Sequence, residues 1–207
     1  MTNTFYGQWS PPVDQVLYEN FFKNQVGGTL IECGAGDGLT ESCGKFFANR
    51  GWKCINIEPE DQRYNQLIFN RSEPNNTNLK IVLGEINDGY IVDFRKSVQN
   101  TETGSGIRKS WTGLIKELEL TQVDLFILDV EGQELKVIKG MLDSPVLPDI
   151  MCIEYTWDSV GLDSLTEMLL PLGYDRLFLS YNNVFFSRKY FEGPFFGETD
   201  HWNKLRK

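Results

Sequence analysis

Residues 29–38 read Thr29-Leu30-Ile31-Glu32-Cys33-Gly34-Ala35-Gly36-Asp37-Gly38, and their reading decides the fold class. Leu30, Ile31 and Cys33 form a short apolar run that reads as a buried strand, and Gly34, Gly36 and Gly38 follow it directly. Leu39 to Asn49 then opens with the hydroxyls of Thr40 and Ser42 and continues with the apolar Phe46, Phe47 and Ala48 of a helix. Strand, glycine turn and helix in that order form the entry unit of a nucleotide-binding α/β fold. Glycines let a ligand approach the backbone where a Cβ would collide with it. The helix start adds unpaired N–H groups and partial positive charge. A tight turn that holds no ligand has the same pattern, so the turn needs support from elsewhere in the chain.

The flanking acids supply part of that support. Glu32 and Asp37 would repel a pyrophosphate, which argues against a dinucleotide-dependent oxidoreductase. They suit a ligand with a cationic sulfonium or ammonium group and hydroxyls, a description that fits S-adenosylmethionine better than NAD. Gly51-Trp52-Lys53 turns the chain into a second apolar run, Cys54 to Ile57, which ends in Glu58-Pro59. Glu58 lies 20 residues after Gly38, about where such folds place the carboxylate that accepts the ribose hydroxyls. Pro59 stops the strand and presents that acid.

The 207 residues fit one domain able to bury its own core. Its expected parts are a helical cap over residues 1–28, a Rossmann-like core over 29–188 and an aromatic tail over 189–207. A net charge of −9 argues against unspecific nucleic-acid binding, which needs a basic footprint. No apolar stretch approaches bilayer-spanning length, and Met1 to Phe5 lacks the pattern of a signal peptide. Cys33, Cys43, Cys54 and Cys152 show no metal-ligand spacing and sit mostly in apolar runs; buried free thiols fit a reducing cytoplasm.

Outward from the turn, Val13 to Lys23 predicts an amphipathic helix after Pro11-Pro12. Asp61 to Asn70 predicts a helix, and Leu79 to Leu83 a third strand closing on Gly84-Glu85-Ile86. Residues after the third strand of such folds flank the adenine, so Glu85 and Ile86 are candidates. Tyr90 to Phe94 alternates like an exposed strand, and Asn100 to Gly106 reads as a loop, either a recognition element or idle surface. Val123 to Val130 is the strongest central-strand pattern. It ends in Asp129-Val130-Glu131-Gly132-Gln133-Glu134, with acids where open α/β sheets bind ligands. Asp129 or Glu131 can equally cap the helix that follows, Leu135 to Leu142. Asp149 to Tyr155 repeats the pattern and ends in Glu154. Two last strands around the turn Tyr181-Asn182-Asn183 should pair antiparallel.

Taken together, Gly34-Ala35-Gly36-Asp37-Gly38 with Thr40 and Ser42, Gly51-Trp52, Ile57-Glu58-Pro59, Leu67, Arg71, Asp129-Val130-Glu131-Gly132-Gln133-Glu134 and Glu154 resemble an FkbM-type methyltransferase over about residues 13–188. The resemblance implies a class I methyltransferase fold, a three-layer α/β sandwich with a seven-stranded, mostly parallel sheet whose last strand is antiparallel. It implies S-adenosylmethionine as methyl donor and a hydroxyl acceptor on a sugar or small natural product. On this sequence, Glu32, Gly34, Ala35, Gly36, Asp37 and Gly38 would hold the methionine part, Glu58 the ribose, and Glu85 and Ile86 the adenine, with Ser42 and Pro59 also in the cofactor-binding set. Asp129, Glu131 and Glu154 would face the acceptor, with Asp129 also at the cofactor. The chain departs from the family where Gly36 replaces a common Asn and where Glu41-Ser42-Cys43 follows Thr40. The family's N-terminal Gln and Asp motif is echoed only loosely by Gln8, Trp9 and Asp14.

Methyl transfer to a hydroxyl needs an aligned oxygen and a base for its proton. The only histidine, His201, lies in the tail, so Asp129 or Glu131 is the expected base. A divalent cation such as Mg²⁺ held by the acids is an alternative, not assigned to residues. A degenerate, non-catalytic nucleoside-binding module of the same fold remains the competing reading.

Overall fold

Apolar runs and amphipathic segments alternate along the chain, and the computed structural model, which describes residues 3–95, 103–155 and 161–199, folds them into two sheets. The strands are β1 (Thr29–Cys33), β2 (Lys53–Ile57), β3 (Asn76–Leu79), β4 (Ile81–Gly84), β5 (Ile91–Arg95), β6 (Thr103–Ser110), β7 (Leu125–Leu128), β8 (Ile150–Glu154), β9 (Asp175–Ser180) and β10 (Asn183–Ser187). The helices are α1 (Val13–Leu17), α2 (Cys43–Asn49), α3 (Asp61–Asn70), α4 (Trp111–Glu117), α5 (Glu134–Lys139) and α6 (Leu162–Leu169). Among the described residues the main sheet has seven strands in the order β3-β2-β1-β7-β8-β10-β9. β10 runs antiparallel to both its neighbours, and the other pairings in this sheet are parallel. This is the architecture the resemblance implied.

Successive strand residues point to opposite faces, and both faces are covered. Ile31, Ile55, Phe126 and Met151 face a core closed by Trp111 and Leu114 of α4, Val137 and Ile138 of α5, and Leu165 and Leu169 of α6. Leu30, Cys54, Leu125 and Cys152 face the opposite core with Val16 and Leu17 of α1 and Phe46 and Phe47 of α2. All four cysteines are buried and free. Among the described residues no helix is long and apolar enough to cross a membrane.

Three segments differ from expectation. The third strand is not one strand: β3 pairs with β2 in the main sheet, then the chain turns at Lys80 and β4 joins β6 and β5 in a second sheet. β3 begins within a polar stretch because Asn76 and Asn78 serve a buried arginine, described below. Thr103 to Gly106, read as loop, belong to β6 and pair with β5. The helix read over Val13 to Lys23 is α-helical only to Leu17 and continues as one π-helical turn, Tyr18–Phe22. Residues 100–102 of the expected loop, His201 and the basic end at 203–207 lie outside the described residues.

The tail docks on its own domain. Phe195 stacks on Phe178 with centroids 4.5 Å apart, Phe191 meets Phe21 edge-on at 5.0 Å, and Asn20 bonds both the N–H and the carbonyl of Phe196. The N-terminal arm is held by Asp14, whose carboxylate is fully buried and accepts the N–H groups of Tyr6, Gly7 and Gln15 at 2.7, 3.1 and 3.0 Å. Burial raises its pKa to about 6 from 3.8, against those hydrogen bonds, which lower it. A raised carboxyl favours the folded state below the unfolded pKa and loses that contribution as pH rises through the folded one. Asp14 is therefore expected to cost about 3 kcal/mol of stability between pH ~4 and pH ~6. Urea titrations at both pH values should show that loss in the wild type and lack it in Asp14→Asn; equal pH dependence in the two would refute the assignment.

Candidate functional site

The strand register lines up one edge of the sheet. Cys33 pairs with Ile57 on one side and with Leu128 on the other, and Leu128 pairs with Ile153. The residues at the C-terminal ends of these strands therefore stand in a row: Glu58 after β2, Gly34 after β1, Asp129 after β7, and Glu154 closing β8. Adjacent strands lie about 4.8 Å apart, so carboxylates flank the glycine turn on both sides.

The turn itself is tied down by backbone bonds. The N–H groups of Gly34 and Ala35 both donate to the Ile57 carbonyl at 3.0 Å. Gly36 N–H donates to Glu58 Oε2 at 2.9 Å, and Glu60 N–H to Glu58 Oε1 at 2.9 Å. Pro59 is half-buried between Glu58 and Glu60, and Glu60 caps α3 by accepting from Gln62 and Arg63. Asp37 accepts the N–H groups of Leu39 and Thr40 and the Thr40 hydroxyl at 2.7–2.8 Å. Burial would raise the Asp37 carboxyl, but these bonds outweigh it and hold the pKa below its ordinary value. Two glycines have distinct reasons. A Cβ on Gly34, at φ +91°, would sit 1.8 Å from the Asp129 carbonyl oxygen. A Cβ on Gly36, at φ +57°, would meet nothing nearer than Arg63 at 4.0 Å, so space is open above it. Ala35 and Gly38 are buried and contribute backbone only.

Glu32 and Ser42 face the other way. The Glu32 carboxylate is 3% exposed, accepts from Ser42 Oγ at 3.0 Å and Gly44 N–H at 2.9 Å, and lies 3.6 Å from the Arg71 guanidinium. Arg71 is fully buried and donates to Ser42 Oγ, Asn56 Oδ1 and Asn76 Oδ1 at 3.0–3.1 Å. Burial raises the Glu32 carboxyl, with Arg71 the leading opposing influence. Both predicted cofactor contacts thus belong to a buried bracket beneath the turn, since their polar atoms are taken up by Arg71 and the start of α2.

Beyond β7, Asp129 and Glu131 are exposed, and Glu131 takes φ +53°. That turn is held by Glu134, which the sequence reading left out of the site. Glu134 is 1% exposed, its Oε1 accepts the N–H groups of Gly132 and Val130 at 3.0 and 3.3 Å, and burial raises its pKa. Glu134 thus braces the start of α5. Glu154 is half-buried and accepts from the Asn182 amide, which brings the β9–β10 turn to the same edge.

Glu85 and Ile86 are not brought to this edge. The edge of the third strand lies at Leu79, whose carbonyl accepts Glu58 N–H, and β4 then leads the chain away. Glu85 ends up 3.9 Å from Lys139, at the far end of α5 from Asp129. Six residues of helix separate those ends, about 9 Å. Among the described residues no three His, Cys, Asp or Glu side chains come together to hold a metal ion, so the cation considered from the sequence receives no residues. An open groove of about 730 Å³ runs along α3, between Asp61 and Asn70, and shares only Asp37 with the edge.

The family model described as the methyltransferase FkbM domain matches residues 32–176. The chain belongs to the FkbM methyltransferase family. Among solved structures, this FkbM methyltransferase is similar to the METTL16 MTase domain at 13% identity and a TM-score of 0.56, over 87% of this chain and 68% of that one. It is also similar to a precorrin-6y C5,15-methyltransferase from Geobacter metallireducens, at 15% identity and a TM-score of 0.47, over 84% and 86%. A third is a proposed RNA methyltransferase from Pyrococcus horikoshii, at 13% identity and a TM-score of 0.46, over 88% and 86%. The likeness to the METTL16 MTase domain speaks to the fold. No curated protein matches the sequence.

The cofactor implied for an FkbM methyltransferase is S-adenosylmethionine, and the edge fits it. Gly36 leaves open backbone, and the flanking Glu58 and Asp129 suit a cationic sulfonium compound and oppose a pyrophosphate. Arg71 was legible as a family residue but not as the partner of Glu32. Trp9 was legible only as a loose echo of the family's N-terminal motif, and Tyr181 and Asn182 only as a hairpin turn, because only the folded chain joins its start to the β9–β10 turn.

Proposed function

We propose that this FkbM methyltransferase is an S-adenosylmethionine-dependent O-methyltransferase acting on a hydroxyl of a neutral sugar or small natural product. The observation that carries the reading is the row Glu58, Gly34, Asp129, Glu154 at the ends of adjacent parallel strands. Glu58 would hold the ribose hydroxyls, the backbone of Gly34 to Gly38 the amino-acid part, and Asp129 the amine. S-adenosylmethionine supplies an electrophilic methyl group on a sulfonium. The chain aligns the acceptor oxygen and removes its proton. Asp129 is the base favoured here, because its own backbone abuts the glycine turn at Gly34. A polyanionic acceptor would meet the carboxylates of Asp129, Glu131 and Glu154, which supports a neutral one.

Calorimetric titration with S-adenosylmethionine and S-adenosylhomocysteine tests the reading. Wild type should bind both, and Glu58→Ala should weaken binding roughly 30-fold or more, as loss of a charged hydrogen-bond acceptor predicts. No binding by the wild type would sink it. Loss of turnover in Asp129→Asn at saturating S-adenosylmethionine would support the base; full turnover in both Asp129→Asn and Glu131→Gln would remove that role from both.

A further inference from the structure

We propose that the stacked pair Trp9–Tyr181 is the platform on which the methyl acceptor lies, and that it takes a neutral ring bearing hydroxyls, of the pyranose kind. The inference rests on the methyltransferase reading above and names its acceptor-side residues.

The two rings lie parallel, with centroids 4.8 Å apart and planes 8° from parallel. Trp9 nevertheless remains 42% exposed. Both residues hold positive φ, +80° at Trp9 and +53° at Tyr181. For bulky non-glycine residues that conformation costs free energy and persists only where the surroundings impose it, a pattern concentrated at functional sites. Here the surroundings do impose it. The Tyr181 hydroxyl donates to the Ser10 carbonyl, Tyr181 N–H donates to Thr199 Oγ1 at 2.7 Å, and Gly7 bridges Glu41 just past the glycine turn. A rigid, strained and accessible aromatic face is thus held at the edge that carries the acids.

What lies beside the face defines the ligand. Asn182 follows Tyr181 directly and donates to Glu154 Oε1, and among the described residues no donor reaches Glu154 Oε2, which can accept from a hydroxyl. β10, which the Tyr181-Asn182 turn leads into, lies two strand spacings, roughly 10 Å, from β7. The C–H face of a pyranose carries partial positive charge that suits the negative face of an indole. Its rim hydroxyls can reach a carboxylate and an amide. A nucleotide would stack equally well but would carry its phosphate into Glu154, Asp129 and Glu131.

The test is saturation-transfer NMR on the full chain with S-adenosylhomocysteine present, using methyl glucoside, methyl galactoside and methyl mannoside against uridine monophosphate. Transfer to ring C–H protons of at least one glycoside is expected. It should weaken roughly fivefold in Trp9→Ala and be retained in Trp9→Phe, with S-adenosylhomocysteine affinity unchanged in both. Fluorine NMR of wild type labelled with 5-fluorotryptophan gives a readout independent of how Trp9→Ala folds: the Trp9 resonance, identified by its loss in Trp9→Phe, should shift on glycoside addition. Cofactor binding with no glycoside signal, with equal signals in wild type and Trp9→Ala, or with preference for uridine monophosphate would overturn the platform alone. Failure of wild type to bind S-adenosylhomocysteine would overturn the underlying reading as well.

Discussion

Gly34→Ala is expected to destabilise the protein by about 3–5 kcal/mol and to abolish cofactor binding in whatever fraction remains folded. The Cβ would sit 1.8 Å from the Asp129 carbonyl oxygen and 2.9 Å from its carbon, and these are backbone atoms that no rotamer change can move. Relief requires β1 and β7 to part where Asp129 N–H donates to the Cys33 carbonyl at 2.9 Å. The residue must also keep φ +91°, which an L side chain disfavours. Gly36→Ala is the matching control. Its Cβ has open space, so it should lose only about 1 kcal/mol, yet it would intrude where a ligand meets the turn. Thermal melts and titration with S-adenosylhomocysteine separate the two. A Gly34→Ala protein as stable as wild type would refute the close approach, and unimpaired binding by Gly36→Ala would remove the cradle.

Arg71→Met should cost a further class of stability, about 3–5 kcal/mol, because it strands Glu32 as an uncompensated charge in a closed interior. Against a typical total of about 5–15 kcal/mol this threatens the fold itself. The loss should depend on pH in a defined sense. Burial raises the Glu32 carboxyl even with Arg71 present. A raised carboxyl penalises the folded state as pH rises through its folded pKa, so Arg71→Met should be weakest at neutral pH and regain stability as pH falls below the ordinary Glu value of ~4.3, where Glu32 becomes neutral in both states. Arg71→Met with Glu32→Gln should recover part of the loss at neutral pH by removing the stranded charge. Urea denaturation of the three variants across that range measures the effect; a flat, wild-type-like profile in Arg71→Met would mean the pair does not hold the turn.

The elements most legible in the sequence were those whose signals are local. β7 reads as apolar on both faces because it is covered on both. The β9–β10 hairpin announced itself through Tyr181-Asn182-Asn183. β3 escaped notice because its asparagines look like a loop, and only the buried Arg71 explains why polar residues belong in that strand. Glu85 and Ile86 were placed at the ligand edge by assuming one continuous strand, and a single turn at Lys80 carried them elsewhere. Glu32 looked like a ligand contact because position beside a glycine turn says nothing about which way a side chain faces.

The strand–glycine turn–helix unit, the acids at the strand ends and the doubly covered sheet are legible from neighbouring residues, since burial period and glycine conformation are local properties. Packing alone settled that Glu32 and Ser42 serve Arg71, that Glu134 braces the turn beyond Asp129, and that Trp9 stacks on Tyr181. Those pairings join residues distant in the chain, and side-chain direction, close approach and burial are settled only when the strands that carry them are packed side by side.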